Sequence, residues 1–473
     1  MARTPEIDLR VVTRSPLRAM LTFSAPVVAG YLGQITMALV DTAVVGRLGA
    51  APLGGVALGN AMFYIWMVLG FGILSGMDFP ASHAFGAGRK EHTRSIFLNA
   101  LFLALICSIP FTIIPYALSN VLHWFGSSPD VIAQTKVYLR ILATSMAPVL
   151  VFGVCRQYLQ ILGKPRAAFW ILIVANIINL VANLAFVLGW WGAPALGTAG
   201  SAVATLIARL AMGAAGIAVV IIADPALGGL KPWRRFRPSP PICRDILKLG
   251  APSGLQMLLE VGAFSGSSTL VSRLGAVDLA VHQIVLQAAS FSFMVPLGLS
   301  SATAVMVGTS LGAKDLMSAR RFGNLGFILG ASFMTCSGLI MWLFPGPIIG
   351  FFTPDPAVLT AATSVLLVAA AFQIFDGLQV VGSGALRGVA DSRTPLIANA
   401  IGHWVFGIPL GAWLCFRGGM GLPGLWIGLA TGLAIVAGIL LVAWRRNARH
   451  LSEGRLPPSA NKAIARQGTV RSK

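Results

Sequence analysis

Four acidic residues lie inside long apolar segments of a chain that is otherwise poor in acids. Only 15 of its 473 residues are Asp or Glu, and most of these 15 lie in polar stretches or near the chain ends. The four exceptions are Asp41, Asp78, Glu260 and Asp376. A charge at the centre of a membrane helix costs about 2.5–3.5 kcal/mol on insertion scales, so such residues usually face a cavity or a partner. Each of the four is therefore a candidate functional residue.

Glu260 and Asp376 are the strongest of these candidates, because neither has a basic residue beside it in the sequence. A carboxylate in an apolar segment can carry an exchangeable proton. With hydroxyl or carbonyl oxygens nearby, it can instead hold Na⁺. We therefore predict that Glu260 and Asp376 couple a cation, and both alternatives, a proton or a Na⁺ site at this pair, stay open.

Asp41 and Asp78 lie nearer the ends of their segments. Asp41 is toward the outer end of the first segment, two helical turns before Arg47, so an ion pair is an alternative to cation coupling. We retain Asp41 as a third cation-coupling candidate. Asp78 lies near the inner end of its segment, close to Arg89 and Lys90, where a structural role at a helix end fits equally well.

Uncharged polar residues in the apolar segments are candidate substrate contacts. Asn176, Asn179 and Asn183 recur at helical spacing and therefore share one face of a helix. Interhelical hydrogen bonds, each typically worth about 1 kcal/mol or less, explain such residues equally well. The candidate substrate-binding residues are Gln34, Asn176, Asn179, Gln283 and Gln287. We interpret His403 as a core histidine.

The composition is that of a polytopic membrane protein. Hydrophobic residues make up 56% of the chain and charged residues only 11%, against about 25% in soluble domains. These values exclude an average soluble enzyme, a disordered chain and a disulfide scaffold. The net charge is +20, but the cations alternate with apolar runs, which excludes a nucleic-acid-binding protein.

The sequence carries no pattern typical of an enzyme or of a cofactor site. The five cysteines are scattered singly, so neither a structural zinc site nor a disulfide framework is expected. HExxH, GxSxG and P-loop motifs are absent, so we expect neither membrane-embedded catalysis nor self-contained ATP hydrolysis. We expect no cofactor beyond a coupling ion, H⁺ or Na⁺.

Twelve apolar segments are long enough to cross a membrane as α-helices. Most of the 35 Lys and Arg residues lie in alternate loops and in both terminal segments. The positive-inside rule therefore predicts that both termini and the central linker are cytoplasmic. The predicted segments are 20–46, 53–80, 95–119, 134–162, 166–190, 196–223, 246–272, 279–307, 322–351, 358–386, 394–416 and 421–444.

The chain contains an internal duplication with a constant spacing of 226 residues. Short motifs of the first half recur in the second without a gap, which chance rarely produces over so long a stretch. Both halves contain six segments, so the repeats are parallel and related by an axis along the membrane normal. Two such bundles favour transport by alternating access. The matching positions are Ala25-Pro26 with Ala251-Pro252, Arg47-Leu48-Gly49-Ala50 with Arg273-Leu274-Gly275-Ala276, Gly72 with Gly298, Ser75 with Ser301, and Gly86-Ala87 with Gly312-Ala313.

The duplication predicts an all-α membrane protein of two six-helix bundles. We expect the bundles at 20–223 and 246–444, joined by a basic cytoplasmic linker at 224–245. A cytoplasmic N-tail at 1–19 and a basic cytoplasmic tail at 445–473 complete the predicted organisation.

Several of these motifs resemble multidrug and toxic compound extrusion (MATE) transporters, over about residues 18–445 and most closely the NorM-like branch. The resembling stretches are Pro26 to Gly49, Leu249-Gly250-Ala251-Pro252 with Glu260, Ala280 to Ile284, Val307 to Ala313, and Phe372 to Gly377 running into Leu386-Arg387-Gly388. The resemblance implies export of organic cations or other amphipathic compounds, driven by inward flow of H⁺ or Na⁺. It also implies that Glu260 and Asp376 match acids that the family uses for cation coupling.

The predicted partners are the lipid bilayer and small cationic or amphipathic substrates. We expect a monomer in a bacterial inner or plasma membrane, without nucleic acid. A lipid-linked precursor flippase of related fold is the alternative function. Such a flippase should place Arg or Lys in its cleft to hold phosphates, whereas the intramembrane charges identified here are mainly acidic.

Overall fold

The structure is a computed structural model that describes residues 15–125, 128–228, 236–353 and 355–469. Most of the described residues are helical and none of them forms a strand, which confirms the predicted all-α class. Residues 1–14 of the predicted N-tail and 229–235 of the predicted linker lie outside the described part.

Apart from five short 3-10 helices, sixteen helices follow one another along the described chain. The first eight are α1 (Pro16–Val45), α2 (Ala50–Leu74), α3 (Asp78–Gly86), α4 (Lys90–Leu118), α5 (Pro129–Ala143), α6 (Met146–Ile161), α7 (Pro165–Leu188) and α8 (Thr198–Ala223). The others are α9 (Pro240–Val271), α10 (Ala276–Gly312), α11 (Leu316–Leu343), α12 (Pro345–Gly350), α13 (Pro356–Arg387), α14 (Arg393–Arg417), α15 (Gly421–Ser452) and α16 (Pro458–Thr469).

Ten helices in the described part are long and apolar enough to cross a membrane. The pair α5 and α6, bent by 48° at a short break, forms an eleventh span if it is counted as one. Helix α9 is 32 residues long but less apolar, since Lys248, Glu260 and several Gly and Ser residues lie within it. Counting α9 gives the twelve spans expected from the sequence.

The repeated Arg-Leu-Gly-Ala motif marks the same backbone turn in both halves. Gly49 has φ +113° and Gly275 has φ +133°, a region that residues with a β-carbon rarely adopt. Each glycine directly precedes a helix, α2 at Ala50 and α10 at Ala276. The motif therefore encodes a helix–turn–helix corner, which explains its recurrence.

A second repeated glycine allows helices to pack closely. A β-carbon on Gly72 of α2 would collide with the backbone of Gly254 in α9. A β-carbon on Gly298 of α10 would collide with Val28 in α1. Residues 28 and 254 are themselves 226 positions apart, so the duplication has preserved both partners of this helix crossing.

The described residues form two compact units. Unit 1 comprises 29–77 and 89–254, and unit 2 comprises 15–28, 78–88 and the residues from 255 onward. Unit 2 thus takes the first part of α1 and all of α3 from the N-terminal half of the sequence. Unit 1 takes the first part of α9, an exchange that the sequence repeat does not predict.

Two arginines that the sequence counts among the loop cations are buried in helices. Arg156 is inside α6 and only 7% exposed, and its Nη2 reaches the hydroxyl of Tyr31 at 3.3 Å. Arg387 is the last residue of α13 and 8% exposed, and its Nη2 donates to Oγ of Ser300 at 3.2 Å. Counting these two as loop cations was therefore wrong, because each side chain packs against neighbouring helices and makes a hydrogen bond there.

Candidate functional site

Unit 2 brings the two strongest sequence candidates together. The Gln379 side-chain amide donates to Oε2 of Glu260 at 3.0 Å and thereby joins α13 to α9. Asp376, one helical turn before Gln379 on α13, is buried and close enough to Glu260 for the two charges to interact. Two carboxylates that are 116 residues apart in the sequence therefore form one acidic site.

Several oxygens of this acidic site lack a hydrogen-bond donor. Gln379 is fully buried, and its Oε1 has no partner within the described part of the chain. Asp376 accepts no hydrogen bond from any residue that the structure describes. Carboxylate and amide oxygens are ligands suited to hard cations, and a carboxylate is also a proton acceptor. The chemistry of the residues therefore fits either coupling ion.

Arg387 is a cationic side chain that acts on the acidic site. It interacts electrostatically with Glu260, donates to Oγ of Ser300 at 3.2 Å and places its Nε 3.9 Å from Oδ2 of Asp78. Sequence proximity suggested Arg89 and Lys90 as the cations beside Asp78. The structure adds a pairing of Asp78 with an arginine 309 residues away, because α3 packs within unit 2.

The π-helical part of α14 lies against α9 beside Glu260. Residues Ala400–Gly407 are π-helical, and Trp404 donates from Nε1 to the carbonyl of Leu259 at 3.1 Å. His403 is buried with its ring 6.1 Å from that of Phe264, and neither ring nitrogen has a partner in the described structure. Its burial agrees with the core position expected from the sequence.

Unit 1 contains a separate polar site around Asp41. Oδ1 of Asp41 accepts from Asn183 at 2.7 Å and from Asn179 at 3.1 Å, and Oδ2 accepts from Thr205 at 2.9 Å. Asp41 is 3% exposed. Its direct partners are thus neutral donors from α7 and α8, and not Arg47 as the alternative interpretation suggested.

Arg209 of α8 is the cation that acts on Asp41 through space. Its Nη1 donates to Oγ of Ser145 at 2.7 Å, and its guanidinium lies 4.5 Å from the centre of the Phe63 ring. It interacts electrostatically with Asp41. The sequence placed Arg209 inside a span, and the structure confirms that position in α8.

The predicted substrate contacts lie in different surroundings. Asn179 belongs to the Asp41 site, whereas Asn176 donates to the carbonyls of Gly33 at 3.1 Å and Leu172 at 2.8 Å, which links α7 to α1. Gln34 is half-buried and makes no hydrogen bond to another described side chain. Gln283 and Gln287 are exposed one turn apart on α10.

Sequence reasoning did not assign Thr205, Gln379 or Asn183 to a site. Asn183 shared the helical face of Asn179, so its spacing was a usable signal. Gln379 lies three residues after Asp376, on the same face of α13. Nothing in the sequence marks Thr205 as a site residue, because threonine is common in membrane helices and its partner Asp41 is 164 residues away.

Comparisons with known proteins agree with this architecture. The family model described as MatE matches residues 26–185 and 252–413, one segment in each half of the duplication. A probable multidrug resistance protein NorM of Mesorhizobium japonicum is 36% identical over 458 residues, covering 95% of this chain and 97% of that protein. A multidrug resistance protein NorM of Burkholderia vietnamiensis is also 36% identical, covering 89% of this chain and 92% of that protein.

Solved structures share the fold at lower sequence identity. An outward-facing multidrug resistance MATE family transporter has a TM-score of 0.85 at 21% identity, covering 96% of this chain and 100% of that chain. A eukaryotic MATE transporter has a TM-score of 0.81 at 19% identity, covering 92% and 98%. Because the family model matches more than half of the chain and the NorM proteins match nearly all of it, the chain belongs to the MatE family of membrane transporters.

Proposed function

We propose that the protein is a secondary active multidrug efflux transporter. It exports organic cations or other amphipathic compounds in exchange for H⁺ or Na⁺, by alternating access between the bundles at 20–223 and 246–444. The names of the NorM relatives support multidrug export. We further propose a monomer in the inner or plasma membrane, with both termini and the linker on the cytoplasmic side.

The observation that carries the proposal is the acidic site of Glu260, Gln379 and Asp376 in unit 2. Two carboxylates that interact in a medium of low dielectric repel each other strongly when both are ionised. A proton or Na⁺ that binds between them removes this repulsion. The ion therefore binds more tightly to a conformation in which the two carboxylates are close than to one in which they are apart. Such a difference in affinity allows ion binding to shift the protein from one conformation to the other.

Asp41 supports a second role in unit 1. Its two oxygens accept three hydrogen bonds from neutral donors, which stabilise the ionised carboxylate without cancelling its charge. A cationic drug or a second coupling ion that approaches this carboxylate is attracted by its charge, against the opposing charge of Arg209. We therefore retain Asp41 as a coupling residue, with Asn179 as the contact that orients it.

The test is dye efflux from proteoliposomes under an imposed H⁺ or Na⁺ gradient. Glu260→Gln and Asp376→Asn preserve size and polarity but abolish the exchangeable charge. We expect each variant to insert normally and to lose about tenfold or more of the gradient-driven rate, because the ion no longer distinguishes the conformations. Asp130→Asn, at an exposed position in α5, removes the same charge away from the site and should transport normally.

The gradient that fails to drive efflux identifies the ion that is not used. Wild-type rates from both site variants would show that coupling lies elsewhere in the molecule. Loss of transport in Asp130→Asn as well would attribute the defect to insertion or folding.

One observation favours the flippase alternative. Arg156 is 7% exposed, and its Nε and Nη1 have no partner within the described residues, although its Nη2 reaches the hydroxyl of Tyr31 at 3.3 Å. A buried guanidinium with free donors suits a phosphate group. Unchanged dye export across a broad panel, together with gradient-dependent movement of a fluorescent lipid-linked phosphate, would support this alternative.

A further inference from the structure

A groove on unit 2 combines a cationic mouth with an apolar wall. It lies between α11 and α15, has a volume of about 400 Å³, and is lined by Arg320, Arg445 and Arg449 above apolar side chains. The apolar lining consists of Phe327, Ile328, Leu441, Trp444 and Ala448, with the amide of Asn324 beside them. No carboxylate lines the described groove.

The three arginines lie at one boundary of the membrane. Arg320 is in the second turn of α11, whereas Arg445 and Arg449 follow the apolar part of α15 and are one turn apart. Arg445 and Arg449 are exposed and Arg320 is half-buried. Basic side chains at this level reach the headgroup region while their aliphatic stems remain on apolar surface.

The apolar wall of the groove is formed by closely packed side chains. The Trp444 ring lies directly against Gly323, where a β-carbon would not fit, and it donates from Nε1 to Oδ1 of Asn324 at 2.8 Å. The Phe327 ring lies 6.4 Å from that of Trp444. Both rings are buried, so they form a packed base for the groove, and the exposed side chain of Ile328 presents its apolar surface to the lipid.

The duplication supplies an internal comparison for the charge of the groove. Helix α4 begins at Lys90 and α11 begins at Leu316, so Arg320 is the repeat counterpart of Arg94, 226 residues earlier. In unit 1 the Arg94 guanidinium forms two hydrogen bonds to Asp224, at 2.7 and 2.8 Å. That arginine is therefore neutralised by the protein itself.

The position of unit 2 that corresponds to Asp224 is His450, which is not a carboxylate. Arg320, Arg445 and Arg449 form no ion pair with any described acid, and the end of α15 contributes two further cations to the groove. Three positive charges that converge without a counter-ion are unfavourable unless an anion is supplied from outside. At this level of the membrane, the available anion is a lipid phosphate.

We propose that this groove binds an anionic phospholipid. Its phosphate lies among Arg320, Arg445 and Arg449, because arginine binds phosphate oxygens with paired N–H donors. One acyl chain follows Ile328 and Leu441 along the apolar wall. A zwitterionic lipid is disfavoured, because its ammonium group meets the same three cations. The proposal rests on the location of the chain in a membrane and not on drug export.

The test is a lipid titration of the purified protein in a neutral detergent, read as a shift in unfolding temperature. Phosphatidylglycerol should stabilise the wild type, whereas phosphatidylcholine and inorganic phosphate should not. Arg445→Gln with Arg449→Gln should weaken the apparent affinity for phosphatidylglycerol about tenfold or more. Arg321→Gln with Arg446→Gln is the control: it also removes two positive charges, one from each of the two helices that border the groove, but neither residue lines the groove.

If the control double variant weakens the affinity for phosphatidylglycerol equally, the lipid is held only by diffuse attraction to positive charge. That result would overturn the proposal. So would the absence of any preference for phosphatidylglycerol over phosphatidylcholine in the wild type. An equal shift with inorganic phosphate would indicate a soluble anion site instead. Arg445→Lys with Arg449→Lys retains both charges, so it should keep the lipid preference and allows the test to proceed if the Gln variant does not fold.

Discussion

At the scale of single residues, the buried charges in the described structure are distinguished by their partners. Asp376 is held beside another carboxylate, Asp41 by neutral donors, and Asp78 opposite Arg387. Two carboxylates in one site gain most from a bound cation, whereas an acid opposite a guanidinium gains least. The three aspartates therefore differ in how well their surroundings suit ion binding. Of the three, Asp78 has the surroundings of a structural residue.

Asp41→Asn should reduce drug efflux while leaving the fold intact. The substitution removes the negative charge but keeps one oxygen that can accept from Asn183 or Thr205. We expect about a tenfold or greater loss of transport, because a cation no longer has a carboxylate to bind. Efflux from proteoliposomes, at matched amounts of inserted protein, measures the effect.

Thr112→Ala is the control for Asp41→Asn. It removes a hydrogen bond from α4 to the carbonyl of Ala143 in the same unit but no contact to Asp41. It should cost about 1 kcal/mol or less in stability and leave transport near the wild-type rate. Similar losses in both variants would contradict a specific role for Asp41.

At the scale of secondary-structure elements, the π-helical turn of α14 is the feature that the apolar pattern did not indicate. A π-helical turn inserts a residue into the ladder and is frequent at functional sites. Here it lets Trp404 reach the carbonyl of Leu259, adjacent to Glu260. The orientation of Glu260 therefore depends on α14 as well as on α9 and α13.

Trp404→Phe should slow efflux by a factor of about three to ten. The substitution keeps an aromatic ring and removes a hydrogen bond worth about 0.5–1.5 kcal/mol, which loosens the position of Glu260. Trp413→Phe, in the second π-helical stretch of α14, alters an exposed ring and should have no effect. Equal rates for the two variants would show that the Trp404 bond does not position the site.

Asp224 makes a pH-dependent contribution to the stability of unit 1. Burial raises the pKa of Asp224, but hydrogen bonds from Arg94 and Tyr158 more than offset this and leave the pKa below its ordinary value. Because the folded pKa lies below the unfolded one, the stabilisation is complete above about pH 4 and is lost as the pH falls through the folded pKa.

Asp224→Asn should therefore destabilise unit 1 by about 1–3 kcal/mol at neutral pH and by progressively less in acid. Unfolding temperatures of wild type and variant, measured in detergent between about pH 6 and about pH 3, should converge as the pH falls. A difference that stays constant over this interval would mean that the Asp224 carboxylate is not responsible. Glu453→Gln, at an exposed position near Arg455, is a control that should change little.

At the scale of the whole molecule, the two repeats still share their backbone geometry but no longer share the positions of their acidic residues. Gly49 and Gly275 keep the same turn, whereas Glu260 corresponds to Gln34 and Asp41 to Ser267. Packing constraints act equally on both repeats, so the glycines persist in each. The acids are not repeated at matching positions, so the two halves differ in charge where they agree in backbone.

The orientation of the whole molecule in the membrane is predicted to place the C-terminal end of α15 in the cytoplasm. In a variant without the five native cysteines, Ser452→Cys near the end of α15 should be shielded from an impermeant thiol reagent added to intact cells. Ser272→Cys, exposed just after α9, should react. The expected contrast follows from the excess of basic residues on the side of Ser452. The reverse pattern would invert the proposed orientation.

The sequence by itself determined the class of protein, the number of spans and the duplication. These properties are encoded along the chain, because the length of an apolar run, the distribution of cations and a fixed repeat spacing need no knowledge of packing. It also marks Asp41, Glu260 and Asp376 as candidate functional residues, since the energetic cost of a charge in hydrocarbon is a property of the residue and its neighbours.

Only the tertiary structure decided which of these side chains meet. Gln379 reaches Glu260, Thr205 reaches Asp41 and Arg387 reaches Asp78 because separate helices pack at particular rotations and heights. Hydrophobic burial alone does not fix that rotation in membrane helices, whose lipid-facing and protein-facing surfaces are similarly apolar. The partners of the buried charges, and the burial of Arg156 and Arg387, therefore could not be obtained from the sequence.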